Sequence, residues 1–397
     1  MAKSLSSLWL KSFRRLGKAQ QAQGRRLLLS LVPKPARASA LRRVKPVTTS
    51  EPSQPSQLTK PVSKPLVRPA AAAPGLPGSW QKAWFSVPTA GQLAPARRML
   101  YWLYLPAGES LTPLPMVIML HGCQQSAIDF AASTRMNQLA ERKGFAVLYP
   151  QQSSAADSHR CWHWYKRDTQ QGGGDVQLLA EMIAHVQSRH GLDSTRTYIA
   201  GLSAGAALAT LVALHYPERI AALGVHSAPV FGTADSPISA YRAMQHGTRI
   251  AHIDAAHTLL QSQPQFPGMP AIILHGDRDA VVRRINGAQL AEQLKIVNAP
   301  YLGTAPPVLR SYLARTGGRS PRHGYTSASA YAGRKPQLVS CDITGLGHAW
   351  SGGADKLAFS APEGPDASLM MWTFFARHRR PQAAQMPDLK SGESSAQ

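Results

Sequence analysis

The chain has 397 residues, of which 44% are apolar and 16% charged, a composition that suits a large folded core and excludes a disordered protein. Most of its formal net charge of +23 lies in residues 1–78, which contain fifteen Lys and Arg but only one acidic residue, Glu51. No RRM, KH or zinc-finger pattern accompanies this charge, so we expect no nucleic-acid partner. The three cysteines lack the close paired spacing of a zinc site, and we predict neither a metal nor another cofactor.

The region before residue 79 divides into two predicted segments. Residues 1–31 place apolar side chains at helical spacing with Lys and Arg between them, which predicts a basic amphipathic leader that contacts a granule or another anionic surface. The alternative is a helix that forms only transiently in a solvated tail. Residues 32–78 contain about ten prolines and predict a disordered linker. Residues 382–397 are polar and predict a disordered tail.

The compartment is predicted from two patterns. No apolar run reaches the roughly 20 residues that a transmembrane helix needs. Residues 1–32 lack the continuous apolar stretch of a secretory signal, because charged side chains interrupt it at Lys11, Arg14 and Arg15. These patterns favour a cytoplasmic location, including one at a granule.

We predict that residues 79–381 form the catalytic domain. In this region short apolar runs alternate with helix-like stretches. The runs predict six buried strands, at Met116–Leu120, Ala146–Tyr149, Thr197–Ala200, Ala222–His226, Ala271–His275 and Leu338–Ile343. The stretches between them predict helices at Asn137–Lys143, Val176–His190, Ala204–His215 and Ala288–Val297. This alternation predicts an α/β fold with a mostly parallel sheet and helices on both faces. Residues 231–268 interrupt the pattern with a helical stretch that we interpret as a lid.

The sequence Gly201-Leu202-Ser203-Ala204-Gly205 follows one predicted strand and opens the next helix. A serine at such a sharp turn projects its hydroxyl above the sheet, and small flanking residues let the turn close. The helix N-terminus adds a favourable dipole for developing negative charge. We therefore predict that Ser203 is a nucleophile.

A serine nucleophile needs a general base and an acid that orients it, and in this type of fold the acid precedes the histidine in the chain. Asp277 and Asp279 follow the strand that ends at His275, and both are candidates for the acid, with Asp279 favoured. His348 lies between a glycine-rich turn and Trp350, where an accessible base is expected. We assign His275 a structural role.

An oxyanion hole needs two main-chain N–H groups beside the nucleophile. One is predicted to come from Ala204, at the start of the helix after Ser203. The other is predicted to come from Cys123, in the loop after the first central strand. A nucleophilic role for the Cys123 thiol is the less favoured alternative, because Ser203 already occupies the turn.

With these motifs in place, residues 83–377 resemble the esterases of the poly(3-hydroxybutyrate) depolymerase type, which are related to feruloyl and acetylxylan esterases. The matching motifs are the serine turn, Leu120-His121-Gly122-Cys123 with Gln125, Tyr149-Pro150, Cys161-Trp162-His163-Trp164, His275-Gly276 with Asp279 and Val282, and Gly347-His348-Ala349-Trp350-Ser351-Gly352-Gly353. The resemblance implies an α/β-hydrolase fold and ester hydrolysis without a cofactor through an acyl-enzyme on Ser203.

The resemblance carries further expectations. Trp162, Trp164 and Trp350 would line the substrate cleft, although aromatic side chains near a site equally often serve packing. Cys123 and Cys161 flank the same cleft, which prompts the hypothesis that they form a disulfide. The substrate is expected to be a hydroxyalkanoate ester or polyester, and the alternative is a feruloyl or acetyl ester. Because many relatives are secreted, an extracellular location is the family-based alternative.

Overall fold

The computed structural model describes residues 75–87, 97–317 and 321–381. The predicted leader, most of the predicted linker and the predicted C-terminal tail lie outside these residues and stay predictions. Of the helices in the described residues, none is long and apolar enough to cross a membrane.

The described chain forms one large sheet with helices packed around it. The strands of this sheet are β1 (Ser79–Ser86), β2 (Arg98–Leu105), β3 (Met116–Leu120), β4 (Ala146–Gln151), β5 (Thr197–Leu202), β6 (Ala222–His226), β7 (Ala271–Gly276), β8 (Val308–Tyr312), β9 (Tyr325–Ala332) and β10 (Lys335–Ile343). Two short strands, β11 (Trp350–Ser351) and β12 (Ser360–Ala361), pair separately. The helices are α1 (Ala127–Thr134), α2 (Met136–Lys143), α3 (Arg167–Gln170), α4 (Gly174–His190), α5 (Ala204–His215), α6 (Pro237–His246), α7 (Ala251–Ser262), α8 (Ile285–Val297) and α9 (Ala367–Phe375).

The strand order is β1-β2-β4-β3-β5-β6-β7-β10-β9-β8. The strands from β4 to β10 in this order are parallel to one another, whereas β1 and β2 at one edge and β9 and β8 at the other are antiparallel. Parallel neighbours require crossover connections, and helices supply most of them here. The carboxyl ends of the parallel strands β3, β5, β6, β7 and β10 therefore all lie on the same side of the sheet, at the ends of the strands.

The six predicted strands and four predicted helices are all present, and several extend by a few residues. The strands at both edges of the sheet were not predicted from the sequence. Every residue of β8 is exposed, and β1 has one fully buried residue, Phe85. Edge strands lack the continuous apolar run that marks a strand buried on both faces.

Residues 231–268 form α6 and α7 with their flanking loops. The Gln293 side chain in α8 donates hydrogen bonds to the carbonyls of Phe231 and His252, both at 2.9 Å. A second contact joins His252 to Glu292 of α8, with 2.7 Å between Nε2 and the carboxylate. The segment is thus packed against α8, and its action as a lid stays a prediction.

Candidate active site

Ser203 lies at the sharp turn between β5 and α5, where its φ and ψ are 57° and −122°. This backbone region is uncommon for residues other than glycine and persists only where the surroundings enforce it. One constraint is a hydrogen bond in which the Ser203 amide donates to the carbonyl of His226, at 3.0 Å. The turn thereby ties the nucleophile candidate to the end of the neighbouring strand β6.

The glycines on both sides of Ser203 are required by close backbone packing. A Cβ atom on Gly205 would lie 2.3 Å from the carbonyl oxygen of Leu120 and 2.4 Å from that of His121. A Cβ atom on Gly201 would lie 2.5 Å from the carbonyl carbon of Gly205. These contacts are with main-chain atoms that cannot move aside cheaply, so α5 can begin directly above β3 and β5 only with glycine at these positions.

Asp279 follows β7 and is buried. Its Oδ1 accepts hydrogen bonds from the amides of Val281 and Val282, both at 2.9 Å, and its Oδ2 lies 2.8 Å from His348 Nδ1. Burial alone would raise the pKa of this carboxyl group, but the charge and hydrogen bond of His348 and the neighbouring His275 outweigh it and lower the pKa. The carboxylate form is therefore the stable one.

Asp277, the competing acid candidate, has a different partner. Its Oδ1 accepts a hydrogen bond from the Gly345 amide at 2.7 Å. This contact closes the loop that leads to His348, while the imidazole itself bonds to Asp279. The geometry therefore supports Asp279 as the orienting acid and gives Asp277 a structural contact.

The hydrogen bond to Asp279 also fixes the tautomer of His348. A carboxylate can only accept, so a hydrogen is on Nδ1, and in the neutral imidazole Nε2 carries the free lone pair. A general base needs this lone pair to remove the hydroxyl proton of the nucleophile. His348 and Ser203 are both buried, at 3% and 2% exposure, in an environment that strengthens such polar interactions.

The oxyanion-hole candidates lie in two segments that meet beside Ser203. A Cβ atom on Gly122 would be 3.7 Å from the Ser203 Cβ, which places the loop after β3 directly against the nucleophile candidate. The Gly122 amide is engaged by Gln125 Oε1 at 2.9 Å. Within residues 97–317, no hydrogen bond engages the amides of Cys123 and Ala204, so both can donate to a ligand.

Cys123 and Cys161 form a disulfide, as hypothesised, and it links positions 38 residues apart. Two further bonds join the same loops: the Gln124 amide donates to the His159 carbonyl at 2.6 Å, and the Trp162 indole donates to the His121 carbonyl at 3.0 Å. The loop after β3 is thus held from outside the sheet. The third cysteine, Cys341, is a buried free thiol whose pKa burial raises to about 12.

The three tryptophans predicted to line the cleft are buried, two of them completely. Trp162 packs against His121 with the two rings tilted, and Trp350 stacks on His226 and meets Phe130 edge to face. These contacts give both indoles a packing role around the site. Contact of Trp162, Trp164 or Trp350 with a substrate stays a prediction, because the described structure exposes little or none of their surface.

Two buried histidines contribute hydrogen bonds to the site that were not predicted from the sequence. His121 Nε2 accepts a hydrogen bond from the Gln152 amide at 3.2 Å and so fixes the loop after β3. His226 accepts a hydrogen bond at 3.1 Å from the amide of Ser351, which lies three residues after His348 in the chain. A histidine at the end of an apolar strand gives no sequence signal that separates this role from simple burial.

The strand order and the turn at Ser203 define the α/β-hydrolase fold. A solved structure, the acetyl xylan esterase from Aspergillus awamori, matches this fold with a TM-score of 0.54 and 22% identity over 67% of this chain and 94% of that one. At this identity the likeness shows the fold alone.

Residues 99–305, more than half of the chain, match the family model described as Esterase PHB depolymerase, and the chain belongs to this family. It is 31% identical over 238 residues to poly(3-hydroxyalkanoate) depolymerase C of Paucimonas lemoignei, covering 59% of this chain and 54% of the relative. It is 24% identical over 298 residues to a poly(3-hydroxybutyrate) depolymerase of Ralstonia pickettii, covering 72% and 58%. The chain thus spans little more than half the length of these relatives.

Proposed function

We propose that this protein is a serine carboxylic-ester hydrolase that cleaves hydroxyalkanoate esters or the corresponding polyester. The observation that carries the proposal is the hydrogen bond between His348 Nδ1 and Asp279 Oδ2, at 2.8 Å, in a fold that also holds Ser203 at the strand-to-helix turn. A buried, oriented imidazole with a free Nε2 is the group that an otherwise weak serine nucleophile requires.

The reaction follows from the roles of these groups. His348 Nε2 takes the hydroxyl proton as Ser203 Oγ attacks the ester carbonyl, and the Cys123 and Ala204 amides stabilise the negative charge on the carbonyl oxygen. The proton then passes from His348 to the alcohol that leaves, and an acyl-enzyme remains on Ser203. Water, deprotonated by His348, releases the acid and restores the serine. Asp279 keeps the imidazolium oriented and stabilised in both steps.

The substrate class is proposed from the family and the named relatives. The relatives from Paucimonas lemoignei and Ralstonia pickettii are named for poly(3-hydroxyalkanoate) and poly(3-hydroxybutyrate). Each hydrolytic step on such a chain would release a new hydroxyl and a new carboxylate. The competing class, feruloyl or acetyl esters, is distinguished from it by the experiment below.

We further propose that residues 1–31 hold the enzyme at a granule or another anionic surface in the cytoplasm. The support is the basic amphipathic pattern of this segment. Deletion of residues 1–78 tests this: we expect loss of sedimentation with polymer granules and unchanged turnover of a small soluble ester. Equal sedimentation of both forms would contradict it.

The main experiment compares p-nitrophenyl acetate, butyrate and octanoate with amorphous poly(3-hydroxybutyrate) and with feruloyl and acetyl-xylan esters. Ser203→Ala should abolish turnover of every substrate, and Ser262→Ala, whose hydroxyl contacts only the carbonyl of Leu259 within α7, serves as the matched control. Release of 3-hydroxybutyrate would support the polyester class. Activity that survives Ser203→Ala would refute the nucleophile, and activity on feruloyl or acetyl esters alone would refute the substrate class.

A further inference from the structure

His226, the last residue of β6, contacts both sides of the proposed catalytic machinery. Its main-chain carbonyl accepts a hydrogen bond from the Ser203 amide at 3.0 Å. Its imidazole Nε2 accepts a hydrogen bond from the Ser351 amide at 3.1 Å, although the two residues are 125 positions apart. One buried residue therefore touches the nucleophile through its backbone and the loop of the general base through its side chain.

The hydrogen bonds determine the tautomer of this imidazole. A main-chain amide can only donate, so Nε2 of His226 has no hydrogen and acts as the acceptor. The hydrogen is then on Nδ1, which lies 3.1 Å from the Ser227 hydroxyl oxygen and donates to it. Burial, together with the neighbouring His275 and His348, lowers the pKa of His226 to about 3, so the acceptor persists at neutral pH.

The ring of His226 also packs against the loop that it anchors. It stacks on Trp350 with 5.2 Å between ring centroids and 28° between planes. The loop is also held by main-chain pairing, because the Trp350 amide donates to the Phe359 carbonyl at 2.8 Å and the Gly352 amide to the Ala361 carbonyl at 2.8 Å. Side-chain bonds hold it as well: the Trp350 indole donates to Ser368, the Ser351 hydroxyl to the Pro365 carbonyl and Arg135 to the Gly352 carbonyl. The side chain of His226 joins this loop to β6, the strand beside Ser203.

We infer that His226 is a positioning residue, which sets the place of His348 relative to Ser203 through its hydrogen bond to the Ser351 amide. This inference rests on the proposed function. Since a displacement of about 1 Å in a reacting group can cost a hundredfold in rate, loss of the bond should reduce kcat. It should leave KM little changed, because His226 is fully buried and has no surface that a substrate could contact.

Two substitutions separate the hydrogen bond from the packing. His226→Phe keeps a ring against Trp350 but removes the acceptor, whereas His226→Gln removes the ring and places an amide oxygen near the position of Nε2. We expect kcat for p-nitrophenyl butyrate to fall about tenfold to a hundredfold in the Phe variant, with KM within about twofold. The Gln variant should recover most of the loss.

His378→Phe is the matched control, because His378 is also buried, also packs against an aromatic ring, Phe374, and lies outside the site. It should keep the wild-type kcat. A His226→Phe enzyme with wild-type kcat, or a Gln variant that is slower than the Phe variant, would overturn the inference. Loss of activity in Ser203→Ala tests the proposed function separately, so failure of one does not imply failure of the other.

A measurement on the wild-type chain covers the case in which the Phe variant does not fold. Nitrogen NMR of histidine-labelled protein, assigned with the Gln variant, should show His226 protonated on Nδ1, bare on Nε2 and unchanged between about pH 5 and pH 8. A hydrogen on Nε2 would exclude the bond from Ser351 and refute the positioning role.

Discussion

The proposed nucleophile and the proposed general base are held in place by different means. Ser203 sits in a turn that its own neighbours enforce, since Gly201 and Gly205 allow backbone approaches that any other residue would block. His348 lies in a loop whose position depends on partners far away in the chain. Asp279 bonds to the imidazole of His348, and His226 accepts a hydrogen bond from the amide of Ser351. The turn at Ser203 therefore depends on glycines beside it that let its backbone pack against the carbonyls of Leu120 and His121, whereas His348 depends on hydrogen bonds to distant side chains.

This difference explains why the two regions should fail differently. A side chain added at a glycine near Ser203 would collide with main-chain atoms, and this collision lowers the free energy of unfolding. Substitutions around His348 remove hydrogen bonds and leave the fold intact, so they should appear mainly as a lower rate. The four predictions that follow test this contrast.

The largest effect is expected for Asp279→Asn. The amides of Val281 and Val282 hold Oδ1, so the amide oxygen of the new side chain must stay with them and its NH₂ group must face His348. The imidazole then has to accept at Nδ1 and carry its hydrogen on Nε2, which is the wrong tautomer for a base. We expect kcat to fall by about ten thousandfold with the melting temperature little changed.

Asp277→Asn is the control for this prediction, because it applies the same chemical change two residues away to the competing acid candidate. Its kcat should remain within about threefold of the wild type, since the Asp277 carboxylate accepts a hydrogen bond from the Gly345 amide and an amide oxygen can replace that acceptor. If Asp277→Asn were the slower variant, the assignment of the acid would be reversed.

Gly205→Ala tests the nucleophile side. Its Cβ would meet the carbonyl oxygens of Leu120 and His121 at 2.3 and 2.4 Å, so we expect a loss of about 3 kcal/mol or more in the free energy of unfolding. Urea denaturation measures it. The control is Gly303→Ala, whose Cβ would have its nearest contact at 3.4 Å, and whose stability should change by less than about 1 kcal/mol. Equal stabilities would contradict the packing argument.

The disulfide tests how the loop that carries the Cys123 amide is held. Without reductant, the unfolded chain should show one titratable thiol, from Cys341, and with reductant all three. The double variant Cys123→Ser/Cys161→Ser should lose about 2–4 kcal/mol of stability, because the bond closes a 38-residue loop. Three thiols without reductant would contradict the bond.

Acid should destabilise the fold through its buried histidines. Burial lowers the pKa of His121 and His378 to about 4 and of His226 to about 3, and it also lowers the pKa of His275. Unfolding returns each pKa to about 6.5, so the unfolded chain binds more protons below that pH. Stability should be fully present above about pH 6.5 and fall toward pH 4, by about 1.4 kcal/mol per pH unit for each histidine.

Melting temperatures measured between about pH 7.5 and pH 5 check this expectation, and His378→Phe provides the comparison. Removal of one titrating histidine should reduce the loss of stability on acidification by the contribution of that histidine. A melting temperature that does not change over this range would show that the imidazoles bind protons as readily in the fold as in the unfolded chain, contrary to their burial.

The sequence predicted the central architecture because the strands concerned are buried on both faces. Runs such as Met116–Leu120 and Ala222–His226 are continuous, apolar and short, and they have the bounds that the structure shows. The edge strands β1 and β8 escaped prediction, since exposed strands carry mixed side chains and take their conformation from the neighbour they pair with.

The same division holds within the candidate site. Ser203 could be recognised because a strand, a serine between glycines and a helix form one continuous local pattern. The sequence favours Asp279 over Asp277, but the different hydrogen bonds of the two carboxylates, the burial of the tryptophans and the contacts of His226 could not be read from it. Each of these depends on which distant segment lies alongside.

The sequence by itself therefore determined the α/β architecture, the turn at Ser203 and the order in which acid and base follow it. Helix propensity and the apolar runs of buried strands depend on residues close in the chain, so they can be recognised in the sequence. Only the tertiary structure decided how the loop of His348 is anchored, because hydrogen bonds such as that from the Ser351 amide to His226 join groups 125 residues apart. Such bonds exist only once the chain has folded.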